Sequence, residues 1–201
     1  MKYITNKAEI SEHLELIDTL LDPLLDKSKE EYLVMQNIFN KKFKYLLFDE
    51  DTFFSDNKSE NLNKYLKYHN ERDFFLNGLQ EDRHIVPYSY AKNNKIAYEN
   101  FLPLSEGGEP HSFFTGLDNV CFEYLYYTKK AHWCGWFSVL WEIGIFAFET
   151  EDSVQKFMEC FNETRFLTVR EILDGLWKNA KPKYKEAFLK NYLELSYLDR
   201  T

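Results

Sequence analysis

Residues 132–148 read HWCGWFSVLWEIGIFAF, and from Trp133 to Phe148 only Ser138 and Glu142 interrupt a run of 16 otherwise apolar or small residues. No other stretch limits the fold as strongly. A membrane helix needs about 20 apolar residues to cross the hydrocarbon core. This run is shorter, is broken twice, and is followed by the acidic ETEDS with no basic anchor close downstream. A membrane span is therefore not expected. The remaining reading is core. With a period of two, Trp133, Phe137, Trp141 and Ile145 fall on one face, and Cys134, Trp136, Leu140 and Phe146 on the other. Both faces are apolar, as in a central strand covered on both sides. Aromatic and β-branched content favours strand over buried helix. Gly144 is expected to mark a bulge or a break into two strands.

The flanks read differently. In residues 8–47, Leu14, Ile17, Leu21 and Leu24 recur at helical spacing. Pro23 should end that helix near Asp22, and Tyr32, Met35, Ile38 and Phe39 suggest a second one. Residues 48–150 are mixed and β-rich. ENLNKYLKYHNERDFFLNGL reads as a helix ending near Gly78, while HIVPYSYA, KIAYENFLPL and VCFEYLYYT read as strands. Residues 151–198 are helical again. Thr168 with Glu171 three positions on forms a capping box, and Pro182 opens a last helix. With 201 residues, 44% of them hydrophobic and 18% aromatic, the chain can bury about 70% of its surface without disulfide or metal staples. The expected architecture is α+β, with residues 1–201 as a single domain. Helices from both chain ends should pack on a central, mostly antiparallel sheet.

Trp133-Cys134-Gly135 opens like a thioredoxin-type redox motif, but the resolving thiol's position is Phe137, and exchange needs the second thiol. YLLFDEDTFF is similar in outline to the first motif of haloacid-dehalogenase-type phosphotransferases, with Asp49 and Asp51 as the paired acids. That motif wants Thr two positions after the second Asp, where this chain has Phe53, so a solvated acidic turn is expected. Gly107-Gly108 lacks the spacing of a phosphate-binding loop. His13, His69, His84, His111 and His132 are too scattered for a helical zinc pair. His111, in a Gly- and Glu-rich loop, is read as a surface residue. No metal or cofactor is expected.

Cys121, Cys134 and Cys160 are an odd set without CxxC spacing. The amino terminus is charged and lacks the apolar core of a secretory signal. Reduced thiols and a cytoplasmic address are expected. The net charge of −8 disfavours nucleic acid and anionic membranes as partners. Residues 101–165 hold 10 acidic and 4 basic residues, a balance of −6, beside the richest Trp and Tyr cluster. Carboxylates beside such rings suit a basic protein partner. The expected partner-binding residues are Glu106, Glu109, Asp118, Glu149, Glu151 and Asp152. Size and charge are analogous to those of bacterial toxin-immunity proteins, which neutralise by occlusion. The alternative is an enzyme, a hydrolase or transferase, whose dispersed site carries no motif.

Overall fold

The computed structural model describes residues 7–26, 30–40, 42–49, 58–71, 73–78, 85–89, 123–138 and 140–200. Its α-helices are α1 (Lys7–Leu20), α2 (Lys58–Tyr68), α3 (Glu151–Cys160), α4 (Val169–Asp174) and α5 (Pro182–Tyr192). A 3-10 helix spans Glu30–Met35. The strands are β1 (Lys44–Asp49), β2 (Asp73–Gly78), β3 (Ile85–Ser89), β4 (Glu123–Tyr127), β5 (Trp133–Ser138), β6 (Ile143–Phe148) and β7 (Phe166–Leu167). They form one sheet in the order β3-β2-β4-β5-β6-β1-β7, and its strand pairs are antiparallel. The architecture is α+β, as the sequence indicates.

The long apolar run is a hairpin. Trp133 pairs with Phe148 and Ser138 with Ile143, so β5 turns back on itself as β6. The turn carries Glu142 in left-handed backbone, φ 53°, a region that ordinarily selects Gly, Asn or Asp. Gly144 is not the break. It lies inside β6, where a Cβ would collide with the Phe48 ring of β1. Trp141 sits in the turn rather than in a strand. It is half-buried against Trp177 and Tyr184, and its carbonyl accepts from Trp177 Nε1 at 3.0 Å.

Turning back also reassigns the faces. Cys134 and Trp136 share one cluster with Ile143, Ile145 and Ala147. Trp133 and Phe137 share the other with Phe146 and Phe148. The first cluster is completed by Ile17 and Leu20 of α1, Leu33 and Val34 of the 3-10 helix, Ile172 of α4, and Phe188 and Tyr192 of α5. The second is completed by Leu62, Tyr65 and Leu66 of α2 and by Val154 and Phe157 of α3. Helices from both chain ends thus cover one face, and the two inner helices cover the other.

Three expectations change. The segment 8–47 is not wholly helical: Tyr32 to Met35 lie in a 3-10 helix, and β1 begins at Lys44. The helix expected to reach Gly78 stops at Tyr68, because Asn70 turns the backbone left-handed at φ 53°, and DFFLNG becomes β2. Residues 151–198 are not helical throughout: β7 lies between α3 and α4, and α4 stops at Asp174, before Leu176 and Trp177. The strands expected in HIVPYSYA and VCFEYLYYT are β3 and β4. Pro87 in β3 fits its place at the end of the strand order. KIAYENFLPL lies outside the described residues. Among the described residues, no helix is long and apolar enough to cross a membrane.

The other end of the strand order is completed by residues remote in sequence. β7 pairs with Leu47 and Phe48. Tyr45 N–H donates to the Leu195 carbonyl at 2.8 Å, and Tyr197 N–H donates to the Tyr45 carbonyl at 2.8 Å.

Candidate functional site

Because neighbouring strands run in opposite directions, one end of the sheet collects the starts of β1, β2 and β5 and the ends of β4 and β6. Three connections meet there: the α2–β2 turn with His69, Asn70 and Glu71, the β4–β5 turn with Lys129 to His132, and the β6–α3 junction with Glu149 to Asp152. Both turns carry a left-handed residue, Asn70 and Ala131.

Side chains link the three connections. Lys130 Nζ donates to the carbonyls of His69 at 2.7 Å and Asn70 at 3.3 Å, filling the open carbonyl end of α2 with a cation. The imidazoles of His69 and His132 are 6.2 Å apart between centroids. His132 Nδ1 lies 3.3 Å from Glu149 Oε2, and Lys42 Nζ donates to Glu149 Oε1 at 3.4 Å. The Glu149 N–H donates to the His132 carbonyl at 3.0 Å, which fixes the two positions beside each other. Tyr68, 52% exposed, stands edge-on to His69 and takes Lys156 of α3 over its ring.

The interior of the corner is polar as well. Glu71 is buried, its Oε2 accepts from Trp133 Nε1 at 3.1 Å, and its Oε1 has no partner. His69 Nε2 is likewise buried without a partner. Burial, with His132 and Lys130 adding to it, pulls the His69 pKa below the usual imidazole range. The hydrogen bond from His132, helped by Lys42, holds the Glu149 carboxyl below the usual carboxylate range.

The junction itself is capped. Thr150 caps α3 by accepting from Ser153 N–H at 3.2 Å and donating to Ser153 Oγ at 2.9 Å. Glu151 and Asp152 occupy the exposed first turn of α3, where the helix dipole favours carboxylates. Glu149, Glu151 and Asp152 are therefore brought together. They do not form a purely acidic face, because Lys42, Lys129, Lys130 and His132 share this end of the sheet.

Glu106, Glu109 and Asp118 lie outside the described residues, as do His111, Asp51 and Cys121. The strand that follows Asp118, β4, starts at the far end of the sheet from Glu149. Asp49 ends β1 at that far end too, opposite Ile143. Cys134 is fully buried, and burial pushes its thiol pKa well up, so it is not a reactive thiolate. His13, a residue of α1, is buried, with Nδ1 3.0 Å from the Tyr127 hydroxyl. Among the described residues, no group of three or more His, Cys, Asp or Glu side chains could hold a metal ion.

Sequence reasoning passed over Tyr68, His69, Glu71, Lys42 and Lys130. The available signal was Asn70, a residue suited to ending a helix in left-handed backbone. No spacing rule joins His69 to His132, since only the strand pairing brings them together. No protein-family model, no curated protein and no solved structure matches this chain.

Proposed function

We propose that this protein acts by binding and occluding a basic protein partner in the cytoplasm, in the manner of toxin-immunity proteins. The observation that carries the reading is the corner at the β6–α3 junction. Three exposed carboxylates, Glu149, Glu151 and Asp152, fall within four positions on a capped turn. A half-exposed Tyr68 lies on the neighbouring helix. Presentation on a capped turn lowers the ordering cost of binding, Tyr is a residue that interfaces favour, and carboxylates steer a basic partner. Lys42 and His132 hold Glu149 only through long, exposed contacts. Exposed ion pairs are worth about 0–1 kcal/mol, so a partner's Arg or Lys displaces Lys42 at little cost. Glu106, Glu109 and Asp118, outside the described residues, are proposed as partner-binding on charge alone. The net charge of −8 supports a protein rather than a nucleic acid as the partner.

The test is affinity capture from the native host followed by association kinetics on the purified partner. A basic partner is expected, with an association rate that falls steeply as salt shortens the Debye length from about 10 Å at 0.1 M to about 3 Å at 1 M. The triple reversal Glu149→Lys, Glu151→Lys and Asp152→Lys should slow association on the order of tenfold or more, with the circular dichroism spectrum unchanged. An acidic partner, a salt-insensitive rate, or turnover of a small molecule by the purified protein would overturn the reading.

A further inference from the structure

The corner contains two imidazoles on different elements, and one of them has no outlet for a second proton. His69 follows α2, and its Nε2 is buried without a partner. His132 lies in the β4–β5 turn, 6.2 Å from it, and is tethered to Glu149. We propose that His69 and His132 form an acid-sensitive latch that docks the carboxyl end of α2 onto the β4–β5 turn and releases it when His69 takes up a proton.

The charged and titratable groups around His69 favour the neutral ring. From its own segment come the Tyr65 and Tyr68 rings, at 4.7 and 4.9 Å, and the buried Glu71. From the β4–β5 turn come Lys130 and His132, and the Lys130 ammonium is bonded to the backbone carbonyl of His69 itself. From the β6–α3 junction comes Glu149, which is engaged by His132 and Lys42. From α3 comes Lys156, held over Tyr68 and paired with Glu159. The one buried carboxylate in the turn, Glu71, spends one oxygen on Trp133.

A proton added to His69 therefore meets a buried, unpartnered nitrogen, a neighbouring lysine and a second imidazole. Relief comes from opening the turn so that the ring reaches water, and an opened turn gives up the Lys130 contacts with the His69 and Asn70 carbonyls. The sign follows from the depressed His69 pKa. The closed corner is favoured while the ring is neutral, and that preference is lost as pH falls below the usual imidazole value of about 6.5. This latch is independent of the partner proposed above.

Amide hydrogen exchange of the intact protein between pH 7.5 and 5.0, corrected for intrinsic rates, provides the test. The corner amides are those of His69, Asn70 and Glu71, which donate to Tyr65, Leu66 and Lys67 carbonyls. Below pH 6.5 their protection should fall by up to about tenfold per pH unit, the limit for one proton taken up on opening. Amides of β5 and β6 are the internal reference. They report the separate global cost of charging His13, whose pKa burial also lowers. In His69→Gln the corner's pH slope should vanish whatever its absolute stability. In His132→Gln, an exposed site, the slope should be reduced. A wild-type corner that loses protection only in parallel with β5 and β6, or a His69→Gln slope as steep as wild type, would overturn the latch.

Discussion

Gly144 has no room for a side chain. Its missing Cβ is the space taken by Phe48, whose ring lies 5.1 Å from Phe146 and 5.2 Å from Phe137 in the fully buried cluster. Those neighbours leave the ring nowhere to retreat. Gly144→Ala should therefore cost about 1–3 kcal/mol, as overpacking of a dense core does, read as a lower urea midpoint. An unchanged midpoint would show that Phe48 can move. The sequence marks Gly144 as unusual but suggests the wrong reason, because a missing side chain serves a neighbouring ring as readily as a bend. His69 and His132 illustrate the same limit at the site. Each is an ordinary polar residue in its own segment, and their relation exists only through the pairing of β2 with β4 and of β4 with β5.

Helix starts are the most legible elements of this chain. The capping box at α4 is complete: Thr168 Oγ1 accepts from Glu171 N–H at 3.1 Å, and Thr168 N–H donates to Glu171 Oε2 at 2.8 Å. Arg165 steadies the same carboxylate at 2.8 Å. Pro182 opens α5 where it was expected. Thr168→Ala should cost about 1 kcal/mol, measured by equilibrium denaturation, and a loss well below that would mean water replaces the cap. Such boundaries are written in adjacent residues. The β5–β6 turn is not, because Leu140, Trp141 and Glu142 include none of the Gly, Asn, Asp or Pro that announce hairpins. Tertiary packing of Trp141 on Trp177 and Tyr184 holds that turn instead. The α2–β2 boundary was written, in Asn70, beneath a helical pattern that runs past it.

At the scale of the molecule, the sheet is closed at one side by its most distant partner. Residues 195–197 supply the hydrogen bonds that β1 needs at Tyr45, and Asp199 accepts from Val169 N–H at 2.8 Å at the start of α4. Deleting residues 194–201 should lower the urea midpoint and leave part of β1 open to pairing with another chain. Denaturation and light scattering would check this. A truncated protein as stable and as monodisperse as the full chain would show that this segment is dispensable.

The same arrangement has a temporal side. Leu195 follows Tyr45 by 150 positions, and synthesis proceeds at about 5–20 residues per second, so β1 waits about 8–30 s after its own translation for this neighbour. A nascent chain that stops short of Ser196 cannot finish the sheet at Tyr45, however well its helices have formed. Through that interval a strand rich in Leu, Tyr and Phe is available to chaperones, and assembly at this edge waits until residues 195–197 have been made.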